Sequence, residues 1–171
     1  MHPHVLETDR LILRALSPDD ADAAFVWLSD PIVNRFLRYP RYTSTEQARA
    51  WLSSVSDRPY DFGFVRKSDG FLMGCGGIYP PATPGEPWEL GYNLRHDCWN
   101  RGYATEAAKA LLRYAHDVHG VHDFIARHAV GNPASGRVME KCGFVYDHDG
   151  EYSRFDDSET FKTRNYKLHL D

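Results

Sequence analysis

The sequence predicts an α+β fold: a mixed, mostly antiparallel sheet that contains one parallel pair of strands and is flanked by helices. Short runs with the apolar patterns of strands are separated by segments of helical periodicity. In the middle of the chain a strand, a glycine-containing loop, a long helix and a second buried strand follow one another, which is the order of a parallel crossover. With 171 residues, of which 42% are hydrophobic, the chain is expected to form a single domain over 1–171.

The first half of the chain is predicted to contain a strand, then helices, then a hairpin. Ser17 and Pro18 are typical of a helix start, with serine as the cap and proline in the first turn. Gly74, Gly76 and Gly77 lie in one predicted strand and indicate either a bulge or the close approach of another group to the backbone. The predicted elements are a strand within 7–14, helices that begin at 18, at 31 and after 43–46, and hairpin strands over 62–65 and 71–79.

The second half is organised around a strand at 89–94 and a helix that begins at Ala104. The first turn of this helix directs free N–H groups at the loop around Gly102, which makes it a candidate site for a phosphate. Asn132 and Pro133 are predicted to start the next helix, with Asn132 as its cap. The central helix has an apolar stripe of Ala108, Leu111, Leu112, Ala115 and Val118, and further strands are predicted at 123–128, 144–146 and 164–170.

Composition and charge argue against several classes of protein. The formal net charge of −4 disfavours a nucleic-acid partner. No apolar run approaches the ~20 residues of a membrane-spanning helix, and Met1–His4 is not followed by the apolar core of a signal peptide, so the protein is expected to be cytoplasmic. The three cysteines are widely spaced and are expected to be free thiols. His116, His119 and His122 lack an acidic or cysteine partner, so no metal site is predicted.

Three stretches are distinctive in combination: Thr8–Arg14, then Glu89–Leu94 with Trp99–Ala107, then Asn132–Ser135 continuing through Val138–Phe144. In this order they resemble the GNAT superfamily of acetyl-CoA-dependent N-acetyltransferases, in the branch of the RimJ and RimL type that acetylates the N-termini of ribosomal proteins. The resemblance implies the GNAT acyl-CoA N-acyltransferase fold and acetyl-CoA as co-substrate without a metal. It also implies an amine acceptor. Together with the charge and the apolar pattern, this leaves the expectation of no nucleic-acid or membrane partner and of a monomer or homodimer.

The resemblance further implies where acetyl-CoA binds. In this superfamily the strand that matches Glu89–Leu94 splays from its parallel neighbour, and the pantetheine and thioester lie in the gap. The implied residues are Tyr92, Asn93 and Leu94, whose backbone pairs with the pantetheine; Arg101, Gly102, Tyr103, Ala104, Thr105 and Glu106, whose N–H groups hold the pyrophosphate; and Asn132, Arg137 and Lys141 beside the same molecule. An N–H near Leu94 would polarise the acetyl carbonyl.

Several of these positions have a second interpretation. Trp99 stands where the superfamily usually has Gln or Arg, which removes one donor to the phosphates. Arg101 either supplies positive charge instead or is a solvated loop residue. Arg137 and Lys141 either contact the cofactor or are surface cations, and Asn132 either contacts the pantetheine or only caps its helix.

Two side chains are candidates for proton transfer. A neutral amine must attack the thioester, and the departing thiolate needs a proton. Glu89 is the candidate base, acting directly or through a water, and its alternative role is that of an exposed strand residue. Ser135 is the candidate acid, and its alternative role is that of a serine suited to a helix start. Tyr103 and Tyr146 are further candidate proton donors.

The predicted function is acetyl-CoA-dependent N-acetylation of a primary amine, by direct transfer while both substrates are bound. The resemblance favours a protein N-terminal α-amine, and the demand on a base is then modest, since the pKa of such an amine is about 7.7–8.0 against about 10.4 for lysine. The alternatives are a small amine (a polyamine, an antibiotic or an amino acid derivative) and a non-catalytic CoA-binding regulatory module. The acidic net charge mildly favours a cationic acceptor. Aromatic residues that either line an acceptor cleft or belong to the core are Trp27, Phe36, Tyr39, Tyr79 and Trp88.

Overall fold

The computed structural model describes residues 5–171, and Met1–His4, which entered the argument about a signal peptide, lies outside this range. The strands are β1 (Leu6–Glu7), β2 (Leu11–Arg14), β3 (Asp61–Arg66), β4 (Phe71–Tyr79), β5 (Trp88–Leu94), β6 (Asp123–Ala129), β7 (Val145–Ser153) and β8 (Thr160–His169). The α-helices are α1 (Ala21–Leu28), α2 (Pro31–Asn34), α3 (Thr45–Val55), α4 (Tyr103–His119) and α5 (Pro133–Lys141), with 3₁₀ turns at Pro18–Asp20 and His96–Cys98.

All eight strands belong to one sheet in the order β1-β2-β3-β4-β5-β6-β8-β7. β5 and β6 run parallel, and every other neighbouring pair is antiparallel. Helix α4 connects the two parallel strands, and β3 and β4 form the predicted hairpin. The prediction of a mixed, mostly antiparallel sheet with one parallel pair is therefore confirmed.

The parallel pairing of β5 and β6 is short. It joins Trp88 to Phe124 and Glu89 to Ile125 and stops there, although β5 continues to Leu94. The two strands therefore separate toward their carboxyl ends. Helices α4 and α5 follow these two strands in the chain, so both begin at the edge of the sheet where the gap opens.

Helices cover both faces of the sheet, and each face has its own apolar core. In β2, Leu11 and Leu13 belong to one core and Ile12 packs against the other, because successive residues of a strand point to opposite faces. The first core contains all the buried residues of α4 together with Met139 of α5. The second contains the buried residues of α1 and α3 and Val33 of α2. Helices α4 and α5 thus lie on one face, and α1, α2 and α3 lie on the other.

Helix α4 is bounded by two glycines in the left-handed conformation, Gly102 with φ +80° and Gly120 with φ +65°. Four members of its predicted apolar stripe are buried, but Val118 is 51% exposed, so that part of the prediction is wrong. No residue of 116–120 is buried, because the last turn of the helix extends past the core.

Helix α5 begins at Pro133 as predicted, but Asn132 does not cap it with its side chain. Pro133 has no N–H to satisfy, and the N–H of Ser135 donates to the backbone carbonyl of Asn132 at 3.2 Å. At the start of α5, the hydrogen bond predicted for the Asn132 side chain is therefore made by its backbone carbonyl.

The closing strands β7 and β8 are longer than the predicted 144–146 and 164–170. Residues 145–149 of β7 are all exposed, so this part of the strand lacks the alternation of buried and exposed residues that identifies a strand in a sequence. Its pairing with β8 extends to Ser153 opposite Thr160 and is set by the hairpin, not by an apolar pattern.

The glycines of β4 meet both expectations, a bulge and a close backbone approach. The register between β3 and β4 shifts between Phe64 and Val65. A Cβ on Gly76 would lie 2.5 Å from the carbonyl oxygen of Gly91 and 2.7 Å from the ring of Phe64, so no side chain fits there. At Gly91 a Cβ would meet only the ring edge of Tyr79, at 3.3 Å.

We expect Gly76→Ala to lower the free energy of unfolding by about 1–3 kcal/mol, because the new methyl group collides with backbone that cannot rotate away. Gly91→Ala is the matched control, and its cost is expected to stay below about 1 kcal/mol, because a tyrosine ring can shift by a few tenths of an ångström. Urea unfolding measures both values. Equal costs at the two positions would contradict the close approach of β5 to Gly76.

Candidate active site

A cleft of about 370 Å³ occupies the gap between β5 and β6. It brings together most of the predicted site residues, which come from β5, from the loop and first turn of α4, and from α5 together with the residue before it. Those that border it are Tyr92, Asn93, Leu94, Arg101, Gly102, Tyr103, Ala104, Thr105, Asn132, Ser135, Arg137 and Lys141. Glu89 and Glu106 do not border it.

Strand β5 directs backbone groups of two residues at the cleft. An antiparallel ladder uses the backbone groups of alternate residues, and the N–H of Arg95 donates to the carbonyl of Met73 in β4 at 2.8 Å. The same orientation recurs at Asn93, whereas Tyr92 and Leu94 point their N–H and C=O groups the other way, toward β6. The backbone of Asn93 is therefore bound to β4, which corrects its predicted pairing with a ligand, and Asn93 contributes its side chain.

Trp99 holds the loop before α4 against β5. Its indole Nε1 donates to the carbonyl oxygen of Leu94 at 2.9 Å. The carbonyl of Leu94 is therefore occupied, and its N–H faces the gap without a partner strand. An N–H near Leu94 is the group predicted to polarise an acetyl carbonyl. Where the superfamily usually places a phosphate donor, this chain has a residue that positions the strand.

The first turn of α4 faces the cleft with free backbone donors. The first helical hydrogen bond runs from the N–H of Glu106 to the carbonyl of Gly102 at 3.0 Å. The N–H groups of Tyr103, Ala104 and Thr105 precede it and are therefore available to an anion. Glu106 is a correction to the predicted set, because its N–H is already used inside the helix.

The Glu106 carboxylate instead joins α4 to the amino-terminal hairpin. It accepts from Thr8 Oγ1 at 2.6 Å, from the N–H of Arg10 at 2.8 Å and from Arg10 Nε at 2.7 Å. Arg10 also donates to the carbonyl of Arg101 at 3.0 Å and lies over the ring of Tyr103 at 4.4 Å. Glu106 and Arg10 thus fix the loop and helix start that border the cleft, a role that sequence reasoning missed.

Ser135 lies at the other helix start and is paired with Tyr92. The Tyr92 hydroxyl donates to the carbonyl of Ser135 at 2.9 Å and lies 3.1 Å from Ser135 Oγ. Burial raises the pKa of Tyr92, so its hydroxyl keeps its proton at neutral pH. Tyr146 is 45% exposed on β7, is bound to Asp149 and does not border the cleft, so it is not a proton donor there.

Glu89 belongs to an ion pair behind the cleft. Arg127 of β6 donates to it through Nε at 2.9 Å and through a terminal nitrogen at 3.4 Å. Arg127 itself borders the cleft. The Tyr92 side chain reaches α5, and alternate residues of a strand face opposite ways, so Glu89 lies on the other face of the sheet from Tyr92. The predicted base therefore reaches the cleft only through an intermediary such as a water molecule.

His128 borders the cleft and escaped the sequence interpretation. Its Nδ1 lies 2.8 Å from the carbonyl oxygen of Ala129, which can only accept, so the proton sits on Nδ1 and Nε2 is the basic nitrogen. That Nε2 is buried, and a Cβ on Gly136 would lie 2.6 Å from it. The basic atom is thus packed against α5 and is closed to an incoming amine.

A short segment after α2 forms the opposite wall of the cleft, with Phe36 and Leu37 among its lining residues. Arg154 holds this segment by donating to the carbonyls of Leu37 at 2.9 Å and Arg35 at 3.0 Å. The hydroxyl of Tyr152, which also borders the cleft, donates to the carbonyl of Phe36 at 2.5 Å. The wall is therefore attached to the β7–β8 hairpin.

The aromatic residues proposed for an acceptor cleft divide into two groups. Phe36 borders the cleft, and Tyr39 accepts from the side chain of Asn93 at 3.2 Å. Trp27 is fully buried in the second core, Tyr79 donates to Asp61, and Trp88 packs against Tyr60 and His119. Those last three are structural, which is the second of the two roles that the sequence left open for them.

All three cysteines are free, as predicted. Burial raises the pKa of Cys75 to about 12 and that of Cys142 to about 11, and it also raises the pKa of Cys98, the one that borders the cleft. Thiols in this state are weak nucleophiles at neutral pH. Within 5–171 no group of three or more histidine, cysteine or acidic residues is arranged to hold a metal, and no helix is long and apolar enough to cross a membrane.

Parallel strands that separate beside two helix starts form the arrangement implied by the resemblance to N-acetyltransferases, and comparison with known proteins agrees. Residues 10–145 match the family model of the acetyltransferase (GNAT) domain. The uncharacterized N-acetyltransferase YoaA of Bacillus subtilis (strain 168) is 30% identical over 145 residues, which cover 82% of this chain and 82% of YoaA. The chain belongs to the GNAT family and is an N-acetyltransferase.

Solved structures share the fold over nearly the whole chain. The ribosomal L7/L12 α-N-protein acetyltransferase RimL, in complex with coenzyme A, superimposes with a TM-score of 0.80 at 17% identity and covers 98% of this chain and 99% of that one. The microcin C7 self-immunity acetyltransferase MccE, in complex with acetyl-CoA and AMP, gives 0.81 at 13% identity over 95% of this chain and 94% of its own. At these identities the two structures confirm the GNAT fold alone.

We expect Glu106→Gln to lower the free energy of unfolding by about 1–2 kcal/mol at neutral pH, because charged hydrogen bonds to Thr8 and Arg10 are lost. Burial raises the pKa of Glu106, but the bonds from Thr8 and Arg10 outweigh it and hold the pKa below its ordinary 4.5. A lowered carboxyl pKa stabilises the folded state above the unfolded pKa, and this contribution is lost as the pH falls through the folded pKa.

The difference between wild type and Glu106→Gln should therefore narrow as the pH falls below about 4.5, when it is followed by urea unfolding. Glu46→Gln is the matched control, because Glu46 also lies in the first turn of a helix but is exposed. A difference that stays constant with pH would contradict the assigned role of Glu106.

Proposed function

We propose that this enzyme acetylates the N-terminal α-amine of a protein, as a member of the RimJ and RimL type branch. The observation that carries the proposal is that no aspartate or glutamate is among the described residues that border the cleft. A cleft without a carboxylate suits an amine that loses its proton easily, and an α-amine has a pKa of about 7.7–8.0 against about 10.4 for lysine. RimL, which shares the fold, is an α-N-protein acetyltransferase.

The two faces of the sheet suggest how both substrates are held at once. The free N–H groups of α4, together with Arg101, Arg137 and Lys141, form a cationic end suited to the phosphates of acetyl-CoA. The wall that contains Phe36 lies on the face of α1, α2 and α3. We therefore place acetyl-CoA on the α4 and α5 side and the acceptor on the other, with the gap between β5 and β6 as their meeting point.

The proposed chemistry is direct transfer. The amine nitrogen bonds to the acetyl carbon, the bond from that carbon to sulfur breaks, and the N–H of Leu94 stabilises the negative charge on the carbonyl oxygen. The Ser135 hydroxyl, held beside Tyr92, gives a proton to the departing thiolate. The amine releases its proton through a water to Glu89, which Arg127 keeps near the cleft.

A small amine is the second candidate acceptor. MccE has the same fold, and its structure contains acetyl-CoA together with the small molecule AMP. The cleft of about 370 Å³ opens between strands that separate at the edge of the sheet, and this geometry admits a flexible peptide terminus as well as a small molecule.

We expect release of CoA thiol from acetyl-CoA with peptides that carry a free N-terminus and none above background with N-terminally blocked peptides that contain lysine. Turnover confined to polyamines or aminoglycosides would replace the protein acceptor with a small amine. Binding of acetyl-CoA without turnover of any amine would indicate the regulatory module.

Ser135→Ala should lower kcat by about tenfold to a hundredfold without changing the KM for acetyl-CoA, because it removes a proton donor and no phosphate contact. Initial rates of thiol release measure both parameters. Ser54→Ala, at an exposed serine of α3, is the matched control and should be neutral. A Ser135→Ala enzyme with unchanged kcat would remove Ser135 from the mechanism.

A further inference from the structure

The charged residues that border the cleft are all cationic. Among the described residues they are Arg101, Arg127, Arg137 and Lys141. Arg101 directly precedes α4, and Arg137 and Lys141 lie on α5, on the side of the cleft where the phosphates of acetyl-CoA account for all three. Arg127 is the one left without such an explanation.

Arg127 belongs to the acceptor side. Along β6, Phe124, Ala126 and His128 are buried, whereas the residues between them are exposed, and the buried set faces α4 and α5. Arg127 therefore points to the opposite face. A cation at this position cannot serve the phosphate end of the cleft.

The Arg127 guanidinium has hydrogen-bonding capacity to spare. Two of its nitrogens contact the Glu89 carboxylate, at 2.9 Å and 3.4 Å. A guanidinium has five N–H donors and binds carboxylates in a planar, forked geometry, so donors remain after this pairing. The side chain is 37% exposed and borders the cleft, while Glu89 does not.

Further arginines lie behind the wall that contains Phe36 and Leu37, although they do not border the cleft themselves. Arg35 and Arg154 share one carboxylate, Glu159, and Arg38 donates to the carbonyl of Ser153. The positive charges of these arginines and of Arg127 act together on Tyr152, whose side chain borders the cleft. Burial raises the pKa of Tyr152, and Arg127, Arg154, Arg38 and Arg35 all oppose that rise.

We propose that the acceptor site binds an amine that carries a carboxylate close to the reacting nitrogen, with Arg127 as the group that recognises this carboxylate. The proposal rests on the proposed function and specifies it: among protein N-termini, those with an acidic residue next to the first are preferred. Polycations such as polyamines meet arginines and no carboxylate among the described residues that border the cleft, and they are disfavoured. The charged residues that border the cleft are thus positive, whereas the net charge of −4 suggested a cationic acceptor.

The test uses three peptides that differ only in the second residue, which is aspartate, asparagine or lysine, with spermidine as a fourth acceptor. Wild-type kcat/KM is expected to be highest for the aspartate peptide, about fivefold above the asparagine peptide, and lowest for the two cationic acceptors. Arg127→Gln should bring the ratio of aspartate to asparagine to about one, and Arg127→Lys should keep part of it. The KM for acetyl-CoA should not change.

The ratio is the readout because Arg127→Gln also removes the partner of Glu89 and can slow every acceptor alike. Arg164→Gln is the matched control, because Arg164 is exposed, lies over Tyr146 at 4.7 Å and does not border the cleft. This variant should keep the wild-type ratio. A ratio unaffected by Arg127→Gln, or a preference for the lysine peptide or spermidine, would overturn the proposal.

A second pair of acceptors tests recognition of a carboxylate by Arg127 independently of whether the acceptor is a protein. If no peptide is acetylated, the proposed function fails, and phenylalanine is then compared with phenylalaninamide, which lacks the carboxylate. A preference for phenylalanine that disappears in Arg127→Gln would support recognition of a carboxylate on a small amine. Equal rates, or no turnover of either, would refute it.

Discussion

The constraint on which the rest of the molecule depends is the separation of β5 from β6 beyond the pair of Glu89 and Ile125. A buried backbone that lacks a neighbouring strand must find other partners. Here the carbonyl of Leu94 is satisfied by the Trp99 indole, and other backbone groups of β5 are left facing a cleft. The gap is thus prepared for a ligand that can take the place of a strand.

The same separation explains why so many groups converge. Each of the two strands is followed by a helix, so both helix starts lie at the gap, and one contributes free N–H groups while the other contributes Ser135. The network of Arg10 and Glu106 fixes the first start, and Arg154 fixes the wall on the opposite face. The two substrate sites that we propose on the faces of the sheet therefore depend on one local feature of strand pairing.

Much of the fold and of the candidate site was predictable from the sequence, because both depend on local patterns of residues. The periodicity around Gly102 predicted α4 and its helix start, and most implied cofactor residues do border the cleft. The exposed strand β7 and the exposed Val118 were misjudged, because apolar pattern alone reveals neither pairing by a hairpin nor the end of a core. Long-range partners were also out of reach: no local pattern joins Glu89 to Arg127, Tyr92 to Ser135 or Arg154 to the carbonyl of Leu37.

The central claim is that the two substrates meet across the gap between β5 and β6 and that the acetyl group passes directly between them. Steady-state rates, measured with acetyl-CoA and a peptide acceptor varied together, test it most directly. The account predicts double-reciprocal lines that intersect, because both substrates must be bound before transfer. Parallel lines would indicate an acetylated enzyme, and in a chain whose buried thiols have raised pKa values they would contradict the account.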